Sequence, residues 1–133
     1  MTRVDDLNQQ VTSAILHAER FERLDDSDAL SADEAREKAA AYLEVSRLEE
    51  ALARELAASD VEGAIARRGA ITAAMSAQAF DRARSVADRF LSESLPAELA
   101  EHLGHLRTQA DAAMRALGEG TVVPVAYVLS DAA

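Results

Sequence analysis

The 133-residue chain has no cysteine and no tryptophan, two prolines, one lysine (Lys38) and an aromatic content of only 4%. Without cysteine there is neither a disulfide nor thiolate chemistry. Without a block of basic residues, broad binding to nucleic acid is disfavoured, because that affinity comes from neutralising phosphates with Lys and Arg. Docking on an anionic membrane surface is disfavoured for the same reason. No apolar run approaches the ~20 residues a membrane-spanning helix needs, and the opening MTRVDDLNQQ lacks the charged-then-apolar layout of a signal peptide. The cytoplasm is the expected compartment. The shortage of aromatics predicts a thin, close-packed core of Ala, Leu, Val and Ile.

What is present is acid and alanine. Asp and Glu number 24 against 14 Lys and Arg, a net charge of −10. An acidic surface aids solubility and suits a basic patch on a protein partner. Apolar residues make up 49%, which excludes disorder as the main state. About thirty of them are alanine, the best helix former. The length suits one domain, 1–133. The chain reads as all-α: a mostly antiparallel bundle of four helices at about 3–24, 32–58, 60–93 and 96–117. A tail, 118–133, carries a short extended segment at 121–129, where Pro124 bars a central strand.

Each helix has its own signals. In the first, Val4, Leu7, Val11, Ile15, Ala18 and Phe21 recur at steps of three and four, close to a heptad. Thr2 is placed to cap it. Ser31-Ala32-Asp33-Glu34 is a capping box opening the second helix, whose apolar line runs Ala35, Ala39, Tyr42, Val45, Leu48, Leu52, Leu56. Glu50 and Arg54 sit i,i+4 on its expected outer face. Ser59-Asp60-Val61-Glu62 repeats the capping-box pattern. In the stretch that follows, Val61, Ile65, Arg68, Thr72, Met75, Ala79, Val86 and Phe90 fall near one stripe. The stripe thins at Ser76-Ala77-Gln78, so 59–94 is either one rod or two. Gly63 and Gly69 each cost about 1 kcal/mol in a helix interior. They mark either close approach of a neighbouring backbone or a looser first turn. Pro96 suits a first helical position. Leu99, Leu103, Leu106, Ala110, Ala113 and Leu117 form the last stripe before Gly118.

Candidate chemistry is sparse. His102 and His105, with Glu98 and Glu101, lie within two turns and are the weak candidates for a metal. A structural metal also needs ligands from another helix, so no metal and no cofactor is expected. The acidic run Asp25, Asp26, Asp28, Asp33, Glu34, Glu37 lacks the register of a calcium loop and reads as a solvated connection. Arg67, Arg68 and Arg82 are possible contacts for an acidic ligand, or pair with acids on the first two helices. Three histidines and no cysteine assemble no nucleophile–base set. No catalytic residue is assigned and no enzyme activity is expected.

The segments AAAYLEVSRLEEALA and AAMSAQAFDRARSVA resemble tetratricopeptide helix pairs. Aligned on Leu48 and Phe80, they recur 32 residues apart, near that family's period of about 34. Ala39, Tyr42 and Ala51 suit the pattern in the first, and Phe80, Ala83, Ala87 and then Pro96 in the second. The glycine and large aromatic of the family's first repeat helix are missing from both. Over residues 35–96 the resemblance implies stacked helix pairs and an adaptor that holds a partner peptide in a groove.

The leading expectation is a non-catalytic protein-interaction module that forms a homo-oligomer, with Val4, Leu7, Val11 and Phe21 as its association surface. The alternatives are the tetratricopeptide-like adaptor and a helical sensor of a metal or small ligand built on His102, His105 and Glu98.

Overall fold

The Ser31 capping box forms as its spacing predicts. The Glu34 amide donates to Ser31 Oγ at 3.1 Å, and the Ser31 amide donates to Glu34 Oε1 at 3.1 Å. It opens one of five helices in the computed structural model, which describes residues 2–27 and 30–118. These are α1 (Arg3–Ser27), α2 (Ala32–Arg54), α3 (Val61–Ser76), α4 (Phe80–Leu91) and α5 (Ala97–Gly118). The fold is an all-α bundle, with no strand among the described residues. The extended segment predicted at 121–129 and the acidic residue Asp28 lie outside the described residues.

Thr2 caps α1, accepting from the Asp5 amide at 3.1 Å. The second capping-box pattern does not form. Asp60 is the N-cap of α3 and its side chain makes no cap bond.

The single helix expected at about 60–93 is corrected to two, α3 and α4, so that five helices rather than four are found among the described residues. Ala77, Gln78 and Ala79 separate them, and Gln78 takes the left-handed conformation, φ 58°. The Gln78 amide donates to Met75 O at 2.9 Å and the Ala79 amide to Ala74 O at 2.9 Å. That pair of bonds is a Schellman stop, made with glutamine where glycine is the usual residue.

Packing follows chain order. Each helix lies against the next, and α3 also touches α5. Short connections turn the chain back on itself. The main core joins Leu7 and Val11 of α1, Leu52 and Ala53 of α2, and Ala70, Ile71, Ala74 and Met75 of α3. Phe80, Val86 and Phe90 of α4 and Leu99, Leu103 and Leu106 of α5 complete it. A satellite cluster holds Ala18, Phe21, Ala41, Val45 and Ala73. Beside it the half-buried Tyr42 hydroxyl donates to Glu22 Oε1 at 2.7 Å. Burial and that carboxylate push the Tyr42 phenol well above its usual range.

Three further sequence expectations need correction. First, Leu7, Val11 and Phe21 are buried within the chain and Val4 is half-buried against the same core. The heptad face of α1 is covered by α2, so it is not a free association surface. Second, Glu50 is not on an outer face. It is 7% exposed, because α2 is covered by α1 on one side and by α3 on the other, and Arg82 and Arg89 of α4 reach over to Glu50. Third, the stripe assigned to α3 is rotated. Its buried face is Gly63, Ala66, Arg67, Ala70, Ile71, Ala73, Ala74 and Met75, while Val61 and Ile65 face solvent.

Small residues bring α3 close to its neighbours. A Cβ on Gly63 would lie 2.0 Å from the backbone oxygen of Ala57. Gly63→Val is therefore expected to cost about 2 kcal/mol through overpacking, read as a lower urea midpoint. Gly104 has open space around it. Gly104→Ala is the control, with an expected gain of about 1 kcal/mol from helix propensity.

Candidate functional site

Two of the places where charged side chains from separate helices gather hold the site residues expected from the sequence. The first is where α2, α3 and α4 meet. On α2, Ser46, Glu49, Glu50 and Ala53 follow a helical period and are all buried. Ser46 Oγ donates to the Ala70 carbonyl at 2.6 Å and accepts from Arg82 Nε at 3.1 Å. Glu50 takes three guanidiniums: Arg82 on Oε1 at 2.9 Å, and Arg89 at 2.8 Å and Arg54 at 3.2 Å, both on Oε2.

Arg67 lies beside this cluster and is 4% exposed. It forks onto Glu93, with Nη2 2.9 Å from Oε1 and Nε 3.2 Å from Oε2. It also donates to the carbonyls of Gly63 at 3.0 Å and Leu56 at 3.2 Å. Its guanidinium lies 5.5 Å from the Phe90 ring centre, a cation–π contact. Every donor-bearing nitrogen of Arg67 is thus occupied, and a buried charge of this kind needs such company.

Glu49 has no such company. Its carboxyl enters the notch left by Gly69, where a Cβ would come within 1.4 Å of Oε2. That oxygen is buried and has no hydrogen-bond partner among the described residues. Burial pushes the Glu49 carboxyl up to about 7.

The second place is the outer side of α3 and α5. Arg68, Glu98, Glu101, His102 and His105 border an open depression of about 410 Å³. His102 is half-buried and His105 exposed, with His105 Nε2 3.3 Å from Gln109 Nε2. Among the described residues no three His, Cys, Asp or Glu stand close enough to hold a metal ion. His102, His105 and Glu98 share a surface without forming a ligand set, so the geometry lends nothing to the metal-sensor alternative. Along α3 the same side continues into Ile65 and Val61.

The predicted ligand contacts are therefore divided. Arg67 and Arg82 belong to the inner cluster and are paired with Glu93, just past the end of α4, and with Glu50 of α2. Arg68 belongs to the outer depression. Glu49, Glu50, Arg54 and Arg89 were not singled out as site residues. The helical period of the polar set Ser46, Glu49, Glu50 was the signal that could have found the α2 members.

Among the described residues no helix is long and apolar enough to cross a membrane. Comparison of the chain with protein-family models, with curated proteins and with solved structures finds no match in any of the three.

Proposed function

We propose that this chain is a non-catalytic helical protein-interaction module of the cytoplasm, self-associating through the N-terminal half of α3. One observation carries the reading. Val61 and Ile65, one turn apart on one side of α3, are 76% and 53% exposed. Fully burying each side chain would contribute about 1.5–3 kcal/mol, and among the described residues nothing covers them. The flanking charges favour a second copy as the partner. Glu62 and Arg68 stand three residues either side of Ile65. An antiparallel two-fold pairing of α3 centred on Ile65 sets each Glu62 against the other copy's Arg68, as an isologous interface requires. Light scattering at about 100 µM, within reach of a modest interface, should show a dimer. Ile65→Asp should give a monomer with unchanged helical circular dichroism, since the position is exposed. A strictly monomeric parent protein sinks the proposal.

A second reading, the tetratricopeptide-like adaptor, is favoured by the break at Ala77–Ala79 and by packing in chain order, with α3 reaching α5. It predicts that selection from a displayed-peptide library returns one extended consensus. An unenriched library refutes it.

A further inference from the structure

The cleft between the C-terminal ends of α2 and α4 and the first half of α3 is lined by Glu50, Ala53, Arg54, Arg67, Arg89, Phe90 and Glu93. Its volume is about 170 Å³, room for one small oxyanion group and little more. We propose that this cleft binds a phosphate dianion, held by Arg54 and Arg89. The site is separate from the Val61/Ile65 surface and stands or falls without it.

The charge balance points to an anion. Four arginines, Arg54, Arg67, Arg82 and Arg89, share two carboxylates, Glu50 and Glu93. Three of these arginines line the cleft with both carboxylates, 3 − 2 or +1, and Arg82 beside it on Glu50 brings the charge of the whole cluster to +2 inside a protein whose net charge is −10. Of the neighbouring acids, Glu55 pairs with Arg3, Asp88 pairs with Arg107, and the Glu49 carboxyl is turned into the Gly69 notch and is not among the residues that line the cleft. Arg67 and Arg82 are held firmly by Glu93, Ser46 and Glu50. Arg54 and Arg89 are held loosely: their side chains are 64% and 53% exposed, and each gives one nitrogen to the same Glu50 Oε2. A guanidinium has five N–H donors in a fixed fork, so both retain donors at the cleft.

Two forks facing one small opening match the several acceptor oxygens and the double charge of a phosphate. A carboxylate carries half that charge and would leave the excess uncompensated. Glu50 makes the arrangement reversible. Alone in the free protein it holds the two loose arginines in place, and a bound dianion takes over their outward donors without breaking the Arg82 pair.

Titration of the full chain with inorganic phosphate, followed by calorimetry and by backbone amide shifts, tests this. The expected result is a dissociation constant of about 1 mM, with shifts centred on Ala53, Arg89 and Phe90. Arg54→Gln and Arg89→Gln should each weaken binding roughly tenfold while leaving the melting temperature unchanged, because both positions are exposed and Glu50 keeps two arginines. Acetate should bind at least tenfold more weakly than phosphate. Phenyl phosphate binding as well as inorganic phosphate indicates a phosphate carried on a larger molecule, and its exclusion indicates the free ion; either outcome supports the site. No saturable heat and no shifts, shifts centred elsewhere, binding retained in the Arg54→Gln/Arg89→Gln double variant, or acetate equal to phosphate would overturn it.

Discussion

Glu93→Ala is expected to destabilise the protein by about 3 kcal/mol, whereas Arg67→Met should cost about 1 kcal/mol or less. The two residues make one ion pair, but they are not equivalent. Arg67 is 4% exposed and Glu93 is 38% exposed at the side chain. Removing Glu93 strands a cation in the interior, where the two carbonyls of Gly63 and Leu56 cannot neutralise it. Removing Arg67 strands only a carboxylate that water already reaches, and methionine refills the space beside Phe90. For a chain of this length the Glu93→Ala loss corresponds to a fall in melting temperature of about 10 °C. The double variant should recover most of it, because no buried charge then remains. The cycle of four proteins in urea separates the pair energy from the cost of each truncation. Equal losses for the two single variants would mean that Arg67 is solvated despite its burial.

Glu49 should make the stability of the protein fall as pH rises through the neutral range. The sign follows from where the proton sits. In the unfolded chain this carboxyl titrates near 4.5, and in the fold burial moves it up to about 7. Below about pH 4.5 both states hold the proton and there is no penalty. Between those values the unfolded chain has released the proton while the folded one retains it, so each rise in pH favours unfolding. Above about 7 the folded state is ionised as well and the loss is complete, at about 3 kcal/mol at most. The melting temperature of the parent protein should drop by about 10 °C between pH 5 and pH 8 relative to Glu49→Gln, whose amide does not titrate. Using that difference removes the general self-repulsion of an acidic chain, which both proteins share. Gly69→Ala should reduce the drop, since a Cβ there pushes the carboxyl out of its notch toward water. Parallel profiles for the parent protein and Glu49→Gln would show that the carboxyl is hydrated in the fold.

Elements with local signals were legible in advance. The Ser31 capping box needs only residues three apart, and it forms. The stripe Leu99, Leu103, Leu106, Ala110, Ala113 is led by three leucines whose burial has one solution and which carry the two alanines inward with them, and those five positions are buried. Leu117, the next in line, is 47% exposed at the end of α5. The rotated face of α3 shows where this reasoning stops. Periodicity weights a side chain by its hydrophobicity, so Val61 and Ile65 outweighed Ala66, Ala70, Ala73 and Ala74. Packing weights it by fit. Small residues let two helix axes approach, and a helix crowded on several sides presents its small face inward. Glu50 was misplaced for a related reason: an i,i+4 pair with Arg54 is what a solvated face looks like, and nothing near it in sequence announces Arg82 and Arg89 arriving from α4.

By itself, then, the amino-acid sequence determined the helical class, the capping-box start of α2, the stripe of α5 and the weak point at Ser76–Gln78, because each depends on residues within one or two turns. Only the tertiary structure decided that the weak point is a true break, since Gln78 accepts a left-handed conformation that no glycine advertises. It alone decided that the apolar face of α1 is consumed by α2, and that three arginines and two glutamates line one cleft with Arg82 paired to Glu50 beside it. Those outcomes depend on which helices become neighbours, and that is set by the fit of small residues and the sharing of buried charge across the whole chain.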